Sequence, residues 1–200
     1  MSEFMNDEEF TLLVHKFRDE AAHVLSFTPC IEKLIDSEHC NQIGSLMHRN
    51  GARWEHRKAT NTLHESLPKV KGIYMFVWMP CLTLKFDPNE EIRPMTFVLY
   101  VGKAGIADGT QDTIKSRYQS EYSKYVARDA SSLWDEQVAD TREERLARYL
   151  TLRPLEYWFL QIEHVRDIVL IEKQLIKLLR PPLNSQHGLR LRPGKPEPAF

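Results

Sequence analysis

A change of hydrophobic period near residue 70 most constrains what this 200-residue chain can fold into. Residues 72–79 (GIYMFVWM) are a run of β-branched and aromatic side chains that ends at Pro80, which predicts a strand. Residues 96–101 and 155–162 have the same character and predict two more strands. The residues between the first two strands, 80–95, contain three prolines and predict a long hairpin loop.

The residues before this change follow a helical period instead. Residues 7–26 predict an amphipathic helix capped by Asp7, with apolar side chains at three- and four-residue spacing: Phe10, Leu13, Val14, Phe17, Ala21, Val24 and Leu25. Thr28 and Pro29 predict the start of a short helix that runs to residue 35. The more polar residues 41–66 predict one or two further helices.

Three more helices are predicted after the second strand, over 114–125, 132–150 and 166–179. The second of them would carry Arg142, Arg145 and Arg148 on one exposed face. The last ends where two prolines follow Arg180. Residues 186–200 hold two glycines and three prolines, which predicts an extended or disordered tail.

The composition favours a protein of the cytoplasm. No apolar run approaches the roughly 18 residues of a membrane span, and the acidic N-terminus lacks the apolar segment of a signal peptide. The three cysteines are odd in number and never spaced C-x-x-C, which argues against a disulfide framework and a structural zinc site. We therefore expect a cytoplasmic protein without a membrane partner.

The net charge of −1 conceals an asymmetry. Residues 1–68 carry seven basic and eleven acidic side chains, whereas residues 69–200 carry 20 and 17. If the chain binds nucleic acid, the second part is the better candidate. The acidic first part is expected to form a packing, dimerising or partner-binding appendage, and a DNA-reading role for its residues 49–58 stays open.

Two tyrosine tripeptides mark the predicted strands. Gly72-Ile73-Tyr74 opens the first strand, and Tyr100-Val101-Gly102 closes the second, with Lys103 directly after it. A predicted helix with Arg117, a strand, a helix with Glu172, and then Pro182 and Asn184 follow in that order.

This order of motifs resembles the GIY-YIG nuclease superfamily over residues 70–185. The run YVGKA at 100–104 is similar to the N-terminal nuclease domain of bacterial excision-repair incision subunits. The resemblance implies an α+β fold, in which a small three-stranded, mostly antiparallel sheet is flanked by helices. It divides the chain into a helical segment 1–68, a nuclease-like domain 69–185 and a tail 186–200.

The resemblance also implies a metal-dependent DNA endonuclease and assigns roles. Glu172 would bind Mg²⁺ or Mn²⁺, because Mg²⁺ needs few carboxylates and keeps several waters. Arg117 would bind the phosphate through its two-pronged guanidinium. Tyr74 would be the general base, with help from the cation of Lys103, since a free phenol has a pKa of about 10.

The remaining roles follow from the same resemblance. Tyr100 would orient the water or the phosphate, and Asn184 would hold the Glu172 helix end or the site by hydrogen bonds. In the family a His or Tyr follows the helix arginine by four residues, but here that position is Glu121 and Tyr122 comes next. Tyr122 can take the role only if the helix winds differently, and Glu121 is either a second metal-directed carboxylate or a solvated side chain.

Other clusters are weaker candidates. His48, His56 and His64 recur every eight residues and so do not share a helical face, which argues against a metal site. The arginines at 142, 145 and 148 alternate with glutamates. They are candidates either for contacts with a DNA backbone or for a solvated, ion-paired face.

Three classes of function remain. The first is the endonuclease, with restriction, repair, and mobile-element or defence roles all open. The second is a non-catalytic module that keeps the nuclease fold and binds DNA or a protein partner. The third, a phosphate-loop enzyme that uses Lys103, is disfavoured because neither G-x-x-x-x-G-K-[ST] nor G-x-G-x-x-G occurs.

Overall fold

The structure is a computed structural model of the 200-residue chain. It describes residues 5–20, 22, 25–49, 51, 53–80, 83–84, 93–106, 112–135, 137 and 139–184. The predicted tail at 186–200 lies outside the described residues. None of the helices in the described ranges is long and apolar enough to cross a membrane.

A four-stranded antiparallel sheet forms the centre of the fold. Its strands are β1 (Glu55–Lys58), β2 (Gly72–Trp78), β5 (Phe97–Ala104) and β6 (Leu155–Gln161), in the order β1-β6-β2-β5. The three predicted strands are present. The strand β2 pairs with a neighbour on each side, and it is buried along almost its whole length because its alternate side chains enter the apolar clusters on the two faces of the sheet. The mixed architecture of helices around an antiparallel sheet confirms the coarser part of the predicted fold class.

The fourth strand, β1, corrects the prediction of three strands and of helices throughout 41–66. It pairs with β6 from Glu55 opposite Phe159 to Lys58 opposite Glu156. All four of its side chains are exposed. A strand at the edge of a sheet with no buried side chain shows no alternation of apolar and polar residues, so its sequence lacks the usual signal.

The residues between β2 and β5 contain a second, two-stranded pair, β3 (Thr83–Leu84) and β4 (Arg93–Pro94). The predicted long hairpin loop therefore includes two short strands. The rest of that loop, 81–82 and 85–92, lies outside the described residues.

Three helices precede the sheet: α1 (Asp7–Lys16), α2 (Ile31–Leu34) and α3 (Ser37–Arg49). The cap of α1 is Asn6 and not the predicted Asp7, and Glu9 completes a capping box with it. This helix ends ten residues earlier than predicted, and Phe17 at its end stacks on Trp134 with ring centroids 4.8 Å apart.

The start of α2 also differs from the prediction. Its cap is Cys30, two residues after the predicted Thr28. The backbone N–H of Cys30 donates to the carbonyl of Leu178 at 3.0 Å. This tertiary contact, which local sequence does not encode, fixes where the chain turns into the helix.

The helical segment between β5 and β6 is divided. It comprises α4 (Ile114–Arg117), a π turn (Tyr118–Tyr122), α5 (Ser123–Val126), a 3₁₀ turn (Ala130–Trp134) and α6 (Arg142–Tyr149). The single helix predicted over 132–150 is wrong, because Asp129 caps the 3₁₀ turn and Thr141 starts a separate helix with its own capping box.

The final helix, α7 (Val165–Leu179), agrees with the prediction to within one residue. Arg180 ends it in the left-handed conformation at φ 43°. Four of its buried side chains pack toward one face of the sheet together with side chains of α3: Ile168, Ile171, Leu175 and Ile176. The helices α4, α5 and α6 cover the opposite face.

Candidate active site

A pocket of about 590 Å³ lies at the β5 edge of the sheet. Every site residue predicted from the sequence lines it: Tyr74, Tyr100, Lys103, Arg117, Glu121, Tyr122, Glu172 and Asn184. Alternate residues of β5 face opposite sides of the sheet, so Tyr100 and Lys103 lie on opposite faces. Both line the pocket, which therefore extends around this edge of the sheet. Side chains that lie up to 110 residues apart in the sequence thus meet in one place.

The two strand tyrosines are neighbours across the β2–β5 pair. Tyr74 lies opposite Gly102 and Phe76 lies opposite Tyr100, so the two phenols are diagonal neighbours with ring centroids 6.4 Å apart. Gly102 makes room for Tyr74. A Cβ atom at this position would lie only 2.5–2.7 Å from the phenol ring and its oxygen.

A third tyrosine joins them from the π turn. The Tyr122 hydroxyl lies 3.0 Å from the Tyr74 hydroxyl and donates to the Tyr100 hydroxyl at 3.3 Å. The N–H of Ser123 bonds to the carbonyl of Tyr118, five residues earlier, so the turn holds one residue more than an α-helical turn. The wider turn brings the fifth residue after Arg117 to the face where a regular helix would place the fourth.

Burial changes the acidity of these phenols. It raises the pKa of Tyr74 well above the usual value of a phenol, with the neighbouring Tyr100 and Tyr157 adding to the effect. The pKa of Tyr122 is raised for the same reason, with Tyr74 and Tyr100 adding to it. A tyrosinate in this cluster therefore requires a nearby positive charge.

Arg117 projects from the end of α4 and is held by two carboxylates. Its Nε donates to Asp112 Oδ1 at 2.6 Å, and its Nη1 donates to Glu121. The side chain of Glu121 is 31% exposed. Glu121 is therefore an ion-paired carboxylate of the pocket wall, and the prediction of a solvated helix side chain is wrong.

Glu172 faces the pocket from α7 and accepts a hydrogen bond from Lys103. The distance from Lys103 Nζ to Glu172 Oε2 is 2.6 Å. The carboxylate is largely enclosed, with 15% of its side chain exposed. The Lys103 ammonium group thus neutralises the Glu172 carboxylate, which is the predicted metal ligand.

Asn184 secures the edge strand. Its amide accepts from the Val101 N–H at 2.9 Å and donates to the Val101 carbonyl at 2.7 Å, as a neighbouring strand would. The adjacent Leu183 N–H donates to the Leu99 carbonyl. Asn184 therefore fixes the backbone between Tyr100 and Gly102, which specifies its predicted hydrogen-bonding role.

Arg142 is a site residue that the sequence did not reveal as one. Its Nη2 donates to the Tyr100 hydroxyl at 2.9 Å and to the Tyr122 hydroxyl at 3.4 Å, and its guanidinium lies 5.4 Å from the centroid of the Tyr100 ring. The prediction placed Arg142 on an exposed helix face with two other arginines. Arg142 is exposed as predicted, with 42% of its side chain accessible. The face shared by all three arginines is wrong, because Arg148 is buried and donates to the Gln137 carbonyl, and Arg145 is half-buried and donates to the Asp140 carbonyl.

The donor set of the pocket is compatible with only one kind of metal site. Among the described residues, no three His, Cys, Asp or Glu side chains lie close enough together to bind one metal ion. His48, His56 and His64 therefore belong to no such group. Mg²⁺ is commonly held by one or two carboxylates together with waters and substrate phosphates. Glu172, set in the wall of an open pocket, fits that mode of binding.

Comparison with known proteins found no match to a protein-family model, a curated protein or a solved structure.

Proposed function

We propose that this chain is a metal-dependent endonuclease of the GIY-YIG type that hydrolyses phosphodiester bonds in DNA. One observation carries the proposal: two phenols, a guanidinium and a carboxylate, expected from sequence motifs to form one site, line a single pocket. Lys103, Lys124 and Arg142 also line it and, together with Arg117, supply the positive charge that a phosphate backbone requires.

Each side chain has a role in hydrolysis. A divalent cation bound at Glu172 would supply positive charge to the scissile phosphate and the leaving 3′ oxygen. Arg117 binds a non-bridging phosphate oxygen, for which it must share or release one of its two carboxylate partners. Tyr74 takes the proton of the attacking water, and Tyr122 fills the auxiliary position one turn after Arg117.

The experiment is nicking of supercoiled plasmid by the purified full chain with Mg²⁺ or Mn²⁺. Wild type is expected to cut, and Glu172→Gln is expected to lose at least about 100-fold in rate while still binding DNA in EDTA. Glu163→Gln removes an exposed carboxylate from the turn before α7 and serves as the matched control. Cutting by Glu172→Gln at the wild-type rate would refute the metal role of Glu172.

A second candidate is a non-catalytic module that binds DNA or a protein. The observation that favours it is that Arg117 and Lys103 are each bonded to carboxylates, which leaves less charge for a reacting phosphate. Tests on supercoiled, linear, branched and damaged DNA discriminate the two functions. Binding without cutting on every form, with either metal, would favour the module.

A further inference from the structure

We propose that Arg117 and Arg142 together bind one phosphate of the DNA backbone, and that the Glu121 carboxylate lies in this site as a competitor of the phosphate. The inference rests on the proposed function, since it takes DNA as the substrate. It gives a role to Glu121, which has no part in the proposed hydrolysis, and it places Arg142 beside Arg117 in substrate binding.

The Glu121 carboxylate lies between two guanidinium groups in the pocket wall. Its Oε1 accepts from Arg117 Nη1, and its Oε2 lies 4.0 Å from Arg142 Nη2. A phosphodiester likewise presents two non-bridging oxygens on one centre, and guanidinium groups are well suited to bind them. Glu121 thus holds an anionic group at the point where two cations of the pocket converge.

Arg117 keeps an anchor when Glu121 leaves it. Its Nε donates to Asp112 Oδ1 at 2.6 Å, and the side chain of Asp112 is only 9% exposed. The side chain of Glu121 is 31% exposed. Glu121 is therefore the partner that a phosphate can replace, because its carboxylate can turn toward solvent while the enclosed carboxylate of Asp112 stays in place.

Arg142 is held by hydroxyl groups. Its Nη2 donates to the Tyr100 hydroxyl at 2.9 Å and to the Tyr122 hydroxyl at 3.4 Å. In the part of the chain that the structure describes, Glu121 is the one acidic side chain within 4.0 Å of this guanidinium. The hydroxyl groups orient the cation, and once Glu121 turns away, the charge of Arg142 is available to a phosphate.

The first test measures binding of a fluorescein-labelled DNA duplex to the full chain in EDTA. Glu121→Gln is expected to bind the duplex about threefold tighter or more, because the competing anion is gone. Glu121→Asp is expected to change the affinity in the same direction, since its shorter side chain spans the two guanidinium groups less well at the same net charge. Glu163→Gln, which removes an exposed carboxylate outside the pocket, is the control for net charge.

Substitution of Arg142 shows whether the gain comes from this site. In an Arg142→Gln background, Glu121→Gln is expected to lose most of its gain in affinity, because one of the two cations is missing. Arg142→Gln alone is expected to weaken DNA binding and to reduce its salt dependence by about one phosphate contact.

The second test uses inorganic phosphate in place of DNA. In phosphate buffer, compared with chloride of equal ionic strength, the melting temperature of Glu121→Gln is expected to rise by about 2 °C more than that of wild type, because phosphate replaces the lost carboxylate. This rise without tighter DNA binding would mean that the site takes a free phosphate, and would overturn its assignment to the DNA backbone.

Three further outcomes would overturn the proposal: unchanged or weaker DNA binding by both Glu121 variants, an equal gain in the Glu163→Gln control, or the full gain in the Arg142→Gln background. Weaker binding would mean that Glu121 positions Arg117 for the phosphate. Near-UV circular dichroism checks that each variant is folded, and two substitutions of Glu121 are included in case one is not. Neither test involves cleavage, so both remain decisive if the proposed endonuclease activity fails.

Discussion

The hydroxyl groups of Tyr74 and Tyr122 lie 3.0 Å apart, although 48 residues separate them and one stands on a strand and the other on a helix. The π turn at Tyr118–Tyr122 makes this contact. In a regular helix Tyr122 would be rotated by about 100° from the position four residues after Arg117. The additional residue in the turn cancels that rotation, and a π turn of this kind often marks a functional site.

Deletion of Ser120 is expected to convert the π turn to a regular helix and to leave Tyr122 beside Tyr74. The residue is exposed, and its removal places Tyr122 four residues after Arg117. Turnover is expected to stay within about tenfold of wild type, since the phenol keeps its place. Plasmid nicking measures turnover, and thermal unfolding measures the stability of the deletion variant.

The matched control is deletion of Ser123. Both serines donate Oγ to the carbonyl four residues earlier at 2.8 Å, so the same local bond is lost in each variant. Deletion of Ser123, however, keeps the five-residue separation between Arg117 and Tyr122 and is expected to rotate the phenol out of the site. Equal activity of the two deletion variants would contradict the role given to the π turn.

Gly102→Ala is expected to displace the Tyr74 ring and to lower both stability and turnover. The added Cβ would lie 2.5 Å from the ring, which is held from its other side by stacking on Tyr157 at 5.5 Å. Overpacking of this kind costs about 1–3 kcal/mol, or roughly 2–12 °C in melting temperature for a chain of this size. Calorimetry and nicking measure the change.

Gly44→Ala is the control for this substitution. Gly44 lies in α3, and nothing lies within 4 Å of a Cβ built there. It is expected to gain about 0.5–1 kcal/mol, because alanine favours a helix interior over glycine. A Gly102→Ala protein as stable and as active as wild type would show that Tyr74 does not need its present position.

The sequence predicted the strands and the site residues better than it predicted the connections between them. The other three strands are rich in apolar and aromatic side chains, whereas β1 reads Glu-His-Arg-Lys and lacks any apolar side chain. The tripeptides and the order of Arg117, Glu172 and Asn184 identified residues that line one pocket. The order and type of these residues therefore predict which side chains lie together, even where the helix boundaries are predicted wrongly.

Arg142 and the π turn could not be predicted in the same way. Arg142 reaches Tyr100 because α6 follows the irregular residues after α5, and no local pattern records that approach. Its alternation with glutamates is typical of a solvated helix face. The π turn left one trace in the sequence, which is that the expected aromatic residue stands five positions after Arg117 and not four.

Tyr157→Phe is expected to stabilise the protein slightly or leave its stability unchanged. The Tyr157 hydroxyl is buried and has no hydrogen-bond partner within the part of the chain that the structure describes. Removing an unsatisfied buried hydroxyl recovers its desolvation cost, about 1–3 kcal/mol at most. Urea unfolding at pH 7 measures the difference in free energy.

Tyr118→Phe is the control for Tyr157→Phe, because it removes a buried hydroxyl that does have a hydrogen-bond partner. The Tyr118 hydroxyl, equally enclosed, donates to the Thr60 carbonyl at 2.7 Å. Its loss is expected to cost about 1 kcal/mol. If Tyr157→Phe destabilises the protein as much as Tyr118→Phe does, the Tyr157 hydroxyl has a partner in solution.

The stability of the fold is expected to fall steeply above pH 10. Burial raises the pKa of four tyrosines above the unfolded value of about 10: Tyr74, Tyr118, Tyr122 and Tyr157. Above pH 10 the folded protein therefore holds protons that the unfolded chain releases. This contribution is complete below pH 10 and is lost as the pH rises, at about 1.4 kcal/mol per pH unit for each tyrosine. Burial lowers the pKa of Arg153 to about 10, which opposes the loss by one such increment, so the net slope is about 4 kcal/mol per pH unit.

Urea unfolding between pH 8 and pH 11 measures this slope. Tyr157→Phe is expected to reduce it by about one third, because about 1.4 of the net 4 kcal/mol per pH unit comes from each tyrosine. A free energy of unfolding that stays constant from pH 8 to pH 11 would contradict the burial of these phenols as neutral groups.

Lys103→Gln is expected to raise the affinity of the pocket for Mn²⁺ by about threefold or more. The Lys103 ammonium lies 2.6 Å from the Glu172 carboxylate, where it competes with any cation for the same charge. Calorimetric titration of the full chain with Mn²⁺ measures the affinity. Lys173→Gln, which removes an exposed ammonium next to Glu172 in the sequence, is the control for net charge and is expected to change the affinity less. Weaker Mn²⁺ binding by Lys103→Gln than by wild type would mean that the cation does not bind at Glu172.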